Sequence, residues 1–168
     1  MKYLALKCLV KVLDKISSFY WGVKYSLYRK TYALDCRFRF NGKLILLYGE
    51  GEINGGPESY IGELSTLQAV KGYSITIGRA CKISHNVRVY TQSANADSDF
   101  SMEEPPQKYG NVQFGDYCWV GANVFVNPGV TIFENSVVGA NSVVTKDIPP
   151  FEIWGGVPAK FIRRKKIV

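Results

Sequence analysis

The side chain best suited to acid–base chemistry in this chain is that of its single histidine, His85. An imidazole titrates near neutral pH and can therefore take a proton from a hydroxyl or an amine. One histidine excludes a mononuclear metal site built from several histidines of one chain, and the four cysteines show no zinc-binding spacing. The residue types favour a general base at His85 and no metal.

The basic residues are concentrated at the two ends of the chain. The 168 residues carry 21 Lys and Arg against 14 Asp and Glu, a formal charge of +7. Residues 1–40 hold nine of the basic residues and two of the acidic ones, and a second basic cluster occupies residues 160–166. Charge alone would suit nucleic acid, but no recognition-helix or RNA-binding pattern accompanies it, so we expect no nucleic-acid partner.

After residue 40 the sequence repeats every six residues. Large apolar residues open the blocks FGDYCW, VGANVF, VNPGVT, IFENSV, VGANSV and VTKDIP, which start at Phe114. The same frame occurs upstream in IGRACK, ISHNVR and VYTQSA from Ile77, and more weakly in IGELST and LQAVKG from Ile61. A fixed period of this kind is typical of a solenoid.

Each hexapeptide predicts one short parallel strand followed by a corner, and three of them make a triangular coil. The first and fifth residues point inward, and the fourth turns the corner at positive φ, which Asn and Gly tolerate best. Cys81 and Cys118 are fifth residues, so we interpret them as small interior side chains. No disulfide framework is indicated, and a reducing cytoplasm is the expected location.

The repeat frame divides the chain into three segments. Residues 1–35 form an N-terminal helical segment, and residues 36–150 form the β-helix, from which a polar loop at 94–113 leaves at one corner. Such a loop on a regular solenoid usually has a function. Residues 151–168 form a basic tail with a short helix predicted from Ala159.

Residues 2–30 have the periodicity of an amphipathic helix. Apolar residues recur at steps of three and four, and Lys7, Lys11 and Lys15 form a separate stripe. These charges argue against a helix that spans a membrane. The helix either covers the open end of the β-helix or lies on an anionic membrane surface, which would add a peripheral contact with the inner face of the membrane through residues 1–30.

The segment from Ile77 to about Arg164 resembles the hexapeptide-repeat acyltransferases. The resemblance rests on WVG at 119–121, NPGV at 127–130, VVTKD at 143–147 and GVPAK at 156–160, which occur together and in register. They are similar to the C-terminal signature of galactoside and maltose acetyltransferases and of many polysaccharide O-acetyltransferases. The resemblance implies a left-handed parallel β-helix, a homotrimer, and acyl-CoA bound between neighbouring β-helices.

The resemblance also bears on the catalytic base. In galactoside-type enzymes the base follows a Tyr-Thr segment, and here Ala94 stands in its place. In the lipid A UDP-N-acetylglucosamine acyltransferases and in sugar-pathway N-acetyltransferases, the base is the third residue of a hexapeptide, before Asp. His85 has that position, before Asn86. The candidates to orient the imidazole or to contact the acceptor are Glu63, Asn86, Asp97, Asp99 and Trp119.

Small residues above His85 would leave room for an acyl thioester. Ala122 is the third residue one coil further on, and Gly121 or Ala122 is expected to present the N–H that stabilises the oxyanion. Ala140 repeats the placement beside the pantetheine arm. By resemblance, the nucleotide end of CoA contacts Thr145, Lys146, Lys160 and Arg163, whereas Arg164, Lys165 and Lys166 are expected to form a solvated tail.

The sequence therefore predicts an acetyl-CoA-dependent O-acetyltransferase that acts on a sugar hydroxyl in a surface polysaccharide or its precursor, which includes a lipid-linked sugar. Two alternatives stay open. The position of His85 also suits an N-acetyltransferase acting on an amino sugar nucleotide, and Ala94 at the galactoside-type position also suits a non-catalytic trimeric scaffold.

Overall fold

The computed structural model describes residues 2–167 as one long helix followed by short strands. The helix α1 is Lys2–Thr31. In chain order the strands are β1 Ala33–Leu34, β2 Arg39–Asn41, β3 Leu46–Tyr48, β4 Glu52–Gly55, β5 Tyr60–Gly62, β6 Thr66–Gln68, β7 Ser74–Ile77, β8 Lys82–Ile83, β9 Arg88–Tyr90, β10 Gln92–Ala94, β11 Gln107–Tyr109, β12 Val112–Phe114, β13 Trp119–Val120, β14 Phe125–Val126, β15 Thr131–Ile132, β16 Val137–Val138, β17 Val143–Val144, β18 Glu152–Gly155 and β19 Lys160–Arg164.

The strands form three parallel faces through which the chain passes in turn, so the molecule is a β-helix of five stacked coils. Face 1 stacks β1, β4, β7, β12 and β15, and face 3 stacks β3, β6, β9, β14 and β17. Face 2 stacks β2, β5, β8, β13, β16 and β18, with β19 added antiparallel at its edge. The predicted mainly β solenoid of hexapeptide repeats is confirmed.

The first residues of the hexapeptides stack on one another inside the solenoid. Phe114 pairs with Ile77 below and with Ile132 above, and the other two faces keep the same register. All of these side chains are buried, and so are the fifth residues Cys81 and Cys118, as predicted. The two thiols donate to backbone carbonyls, Cys81 to Gly115 at 3.0 Å and Cys118 to Phe133 at 3.1 Å.

The fourth residues turn the corners with left-handed backbone. Asn86, Asn123 and Asn141 have φ of +53°, +58° and +59°. Their amides form a ladder: Asn86 Nδ2 donates to Asn123 Oδ1 at 2.8 Å, and Asn123 Nδ2 donates to Asn141 Oδ1 at 2.9 Å. Asparagine thus tolerates the corner conformation and links three coils.

The chain leaves the solenoid after β9, where a loop was predicted at 94–113. The excursion is the antiparallel hairpin β10–β11, and β12 resumes face 1 at Val112. The buried Thr91 hydroxyl accepts from the Val70 N–H at 2.9 Å and donates to the Gln68 carbonyl at 3.2 Å, which anchors the base of the hairpin. The ring of Tyr109 stacks on that of Tyr73.

The second half of α1 covers the open end of the first coil. Trp21 and Tyr28 are buried there, and the ring of Tyr25 stacks on Phe40 with centroids 4.2 Å apart. The Tyr25 hydroxyl donates to the Gly42 carbonyl at 3.1 Å and accepts from the Ile45 N–H at 3.3 Å. The aromatic residues therefore satisfy polar groups at the end of the solenoid as well as covering its apolar interior.

The prediction of a short C-terminal helix from Ala159 is wrong. After Ala159 the chain forms β19, which runs antiparallel to β18 and pairs Gly155 with Lys160 and Ile153 with Arg163. The last parallel strand of face 2 leaves backbone donors and acceptors unpaired along its edge. Pairing with that edge satisfies both strands, whereas a solvated helix of this length would be marginal.

Candidate active site

His85 belongs to a vertical column of third residues at the corner between faces 2 and 3. Face 2 stacks Phe40, Ile61, Ile83, Val120 and Val138 in register, so the residues two positions later also stack. We call them the His85 column, which comprises Gly42, Glu63, His85, Ala122 and Ala140. The predicted placement of Glu63 one coil below His85, and of Ala122 one coil above, is confirmed.

Backbone hydrogen bonds fix the spacing within the His85 column. The Asn86 N–H donates to the Glu63 carbonyl at 2.8 Å, and the Asn123 N–H donates to the His85 carbonyl at 3.1 Å. The Asn141 N–H donates to the Ala122 carbonyl at 2.8 Å. Successive members of the column are therefore one strand spacing apart, about 4.8 Å.

The corner that carries His85 is held from inside by Ser65. This side chain is fully buried, and its hydroxyl accepts from the Val87 N–H at 3.0 Å and donates to the Ser84 carbonyl at 3.2 Å. These two bonds bracket His85 on both sides along the chain. One serine hydroxyl thus fixes the backbone from which the exposed imidazole projects.

The imidazole lies in an open groove of about 380 Å³ at the lower end of the column. Its polar lining comes from Asn41, Tyr60, Glu63, Ser84 and His85. Gly42 and Gly62 complete the lining, and a Cβ at Gly62 would lie 2.6 Å from the backbone nitrogen of His85. Among residues 2–167, no hydrogen bond joins the Glu63 and His85 side chains, which share the groove.

Above His85 the column consists of the methyl side chains of Ala122 and Ala140. The N–H of Gly121 donates to the Val138 carbonyl at 2.8 Å, so it is occupied by the coil-to-coil ladder. Ala122 has no such partner for its N–H within residues 2–167 and lies directly above His85. Of the two predicted oxyanion donors, only Ala122 can therefore donate to a bound group.

The other candidates to orient the imidazole are either bonded to other groups or lie at another corner. The Asn86 amide is part of the asparagine ladder. Asp97 and Asp99 lie in the hairpin excursion, which leaves at the corner after face 3, whereas His85 lies at the corner before it. Hydrogen bonds from the N–H and the hydroxyl of Ser101 lower the pKa of Asp99, whose carboxylate is occupied within its own turn.

The residues predicted to hold the nucleotide end of CoA lie on two different parts of the solenoid. Thr145 and Lys146 are exposed and follow β17, so they belong to the corner after face 3. Lys160 and Arg163 are on β19 at the edge of face 2. One chain does not bring Lys146 and His85 to the same corner.

A second and larger groove of about 970 Å³ runs along face 2. Trp119, half exposed, lies in it with Tyr117, and its basic lining comes from Lys82, Arg163, Lys165 and Lys166. This groove meets the His85 groove at Tyr60 and Ser84, which line both. Lys160 is not among its lining residues.

The prediction that Lys165 belongs to a solvated tail is wrong. Its ammonium donates to the carbonyl and to the side-chain Oδ1 of Asn135, and its N–H donates to the Phe151 carbonyl at 2.7 Å. These bonds exist because β19 folds back along face 2. Sequence reasoning also missed Tyr60 and Lys82, because outward-facing strand positions are not constrained by the repeat.

Comparisons with known proteins identify relatives that share this repeat. A family model described as bacterial transferase hexapeptide (six repeats) matches residues 111–146. Galactoside O-acetyltransferase of Escherichia coli (strain K12) is 38% identical over 97 residues, which are 58% of this chain and 47% of that enzyme. The chain thus spans about half the length of this curated relative.

Two solved structures extend the similarity to most of the chain. A galactoside acetyltransferase in complex with coenzyme A is 32% identical, with a TM-score of 0.69, and the match covers 84% of this chain and 70% of that one. A hexapeptide-repeat acetyltransferase from Vibrio cholerae O1 biovar eltor, in complex with acetyl coenzyme A, is 29% identical with a TM-score of 0.67, and the match covers 87% and 78%.

Ser65 has a structural equivalent in Ser59, which bonds to Gly78 and Cys81 in the same pattern one hexapeptide earlier. We expect Ser65→Ala and Ser59→Ala each to lower the free energy of unfolding by about 1–3 kcal/mol, because each leaves a buried N–H without a partner. Only Ser65→Ala should also shift the NMR signals of the single imidazole. Equal shifts in both variants would contradict a local role for Ser65.

Proposed function

We propose that this chain, which belongs to the hexapeptide-repeat acyltransferase family, transfers an acetyl group from acetyl-CoA to a hydroxyl of a sugar acceptor. The acceptor is part of a surface polysaccharide or its precursor. The observation that carries the proposal is the order of chemistry along the His85 column. Polar side chains lie below the imidazole and methyl groups lie above it, so two different ligands can meet at one base.

The His85 groove, at the lower end of the column, supports recognition of a sugar. Tyr60 offers an aromatic face, while Asn41 and Glu63 offer an amide and a carboxylate that pair with hydroxyl groups. The small side chains of Ala122 and Ala140 leave space for the arm of the thioester. The acceptor therefore approaches from the N-terminal end of the solenoid and the donor from the C-terminal end.

The proposed reaction uses one base and one backbone donor. His85 takes the proton from the acceptor hydroxyl while the hydroxyl oxygen attacks the thioester carbonyl carbon. The Ala122 N–H stabilises the oxyanion of the tetrahedral intermediate. When the intermediate collapses, the carbon–sulfur bond breaks and the imidazolium returns its proton to the departing thiolate. The products are the sugar ester and CoA, and the imidazole is neutral again.

A second acceptor class has one observation in its favour. His85 is the third residue of its hexapeptide, which is the placement expected for N-acetylation of an amino sugar nucleotide, and Asn86 stands where that pattern has Asp. The same base would then deprotonate the attacking amine. Faster thiol release with an amino sugar nucleotide than with hydroxyl acceptors would identify this activity in place of O-acetylation.

Replacement of His85 by Ala should lower kcat by at least about 100-fold, because general-base catalysis typically contributes this much. Thiol release from acetyl-CoA measures the rate. The matched control is Arg79→Ala, since Arg79 is the exposed third residue of the preceding hexapeptide, at another corner. Full activity in the His85 variant would exclude the proposed mechanism.

Glu63 is the proposed partner of the second imidazole nitrogen, which it can reach from one coil below. We expect Glu63→Gln to lower kcat about tenfold with little change in KM for acetyl-CoA, because the carboxylate stabilises the imidazolium that forms during the reaction. Glu134→Gln is the control, a third-position glutamate at a different corner. A raised KM for the acceptor with unchanged kcat would instead mean that Glu63 only binds the acceptor.

We also propose that the active enzyme is a homotrimer with sites between chains. The support is geometric: His85 follows face 2 and Lys146 follows face 3, so a CoA molecule that contacts both must lie between two solenoids. Cyclic symmetry then repeats the same cleft three times.

Mixing two inactive variants tests this arrangement. His85→Ala and Lys146→Ala chains, refolded together in equal amounts, should recover about a quarter of the sites of the unmodified enzyme, because random trimers place an intact His85 and an intact Lys146 in one cleft at that frequency. Activity is measured at acetyl-CoA concentrations below KM. No recovery in mixed trimers would place both residues of a site in one chain.

A further inference from the structure

The apolar side chains in the first half of α1 pack against no other element within residues 2–167. Every side chain from residue 3 to residue 16 is exposed. The large apolar ones, together with Phe19 and Tyr20, are between 49% and 75% exposed; they are Tyr3, Leu4, Leu6, Leu9, Val10, Val12, Leu13 and Ile16. This is a larger apolar surface than a soluble monomer usually presents.

The side chains of α1 are sorted around the helix. At about 100° per residue, most of the large apolar residues, including Leu9, Leu13 and Ile16, share one half of the circumference. The opposite half carries Lys7, Lys11 and Lys15. The aromatic residues that cover the solenoid, Trp21, Tyr25 and Tyr28, occupy an adjoining sector whose centre is about 120° from the centre of the apolar half. The packed face and the exposed apolar face of α1 are therefore different faces.

We propose that the exposed apolar face of α1 binds the surface of an anionic phospholipid bilayer. Helix α1 carries seven basic residues and one acidic residue, Asp14, a formal charge of +6. A helix with an apolar face, a lysine-rich opposite face and an excess of positive charge lies in the interface of such membranes. No helix within residues 2–167 is long and apolar enough to cross a membrane.

The charge distribution also argues against a second copy of α1 as the partner. Leu6, Leu9, Leu13, Ile16, Tyr20, Val23 and Leu27 have the alternating three- and four-residue spacing of a coiled coil. Coiled coils usually pair opposite charges beside this apolar seam. Here the flanking positions carry no acidic residue and one basic residue, Lys24, so parallel copies of α1 would have no opposite charges to pair beside the seam.

Docking through α1 would place the catalytic groove beside the membrane. The Tyr25 hydroxyl binds the Gly42 carbonyl, and Gly42 is the lowest member of the His85 column. His85 is two strand spacings further along, about 10 Å. This step rests on the proposed function: the acceptor groove would open close to the headgroups, within reach of the sugar of an acceptor anchored in the same bilayer.

Vesicle sedimentation with the full chain tests the docking without any measurement of activity. The probes are vesicles of phosphatidylcholine alone and of phosphatidylcholine with phosphatidylglycerol. We expect binding to the anionic vesicles that weakens with salt, and at least tenfold weaker binding after Leu9→Glu, because the variant places a charge on the apolar face.

The matched control is Leu4→Glu, the same chemical change on the lysine side of α1, which should alter binding less than twofold. Both leucines are exposed, so neither variant should change the thermal unfolding of the solenoid. Equal loss in both variants, or equal binding to both vesicle types, would overturn the proposal. The proposal would also be overturned if the unmodified chain did not bind vesicles and Leu9→Glu had a smaller sedimenting mass than that chain. This result would assign the apolar face to contact with another copy.

Failure of this proposal and failure of the proposed function can be told apart. The His85→Ala variant should bind anionic vesicles like the unmodified chain, because His85 lies outside α1. Activity that depends on His85 combined with no vesicle binding would overturn the docking alone. Vesicle binding combined with full activity of His85→Ala would overturn the assigned base alone.

Discussion

The backbone hydrogen bonds between successive coils determine where every other group in the molecule lies. Each bond ties a residue to its equivalent one coil away, so side chains at one corner form a column at a spacing of about 4.8 Å. The bonds from Asn86 to Glu63 and from Asn123 to His85 show how this operates at the site. The chemistry of the column is then decided by which residue type stands at each level.

Because the side chains stack in this way, the two ends of the His85 column differ in chemistry. At the N-terminal end, the column carries a carboxylate and an imidazole beside an open polar groove, and α1 covers the first coil. Towards the C-terminal end, the column carries only methyl groups, and Arg163, Lys165 and Lys166 line the groove on the adjoining face. In the proposed reaction, a polar acceptor and a polyanionic donor approach along one axis from opposite ends.

The hexapeptide frame could be predicted from the sequence because one rule is repeated many times. It correctly placed Phe114 above Ile77 across a gap of 37 residues, and with it Ala122 above His85. Features outside the repeat could not be predicted in this way. Strand β19 forms because face 2 has an open edge, and Lys165 finds Asn135 only once β19 has folded back. Tyr60 and Lys82 point outward, where the repeat imposes no residue type.

The hairpin β10–β11 is closed at its base by bonds that do not depend on its length. The Gly110 N–H donates to the Thr91 carbonyl at 3.0 Å, and Val112 re-enters face 1 opposite Ile75. The coil register after the hairpin is therefore the register that a chain without it would have. Replacement of the hairpin by one of another length or sequence can therefore change the surface at this corner while the His85 column keeps its register.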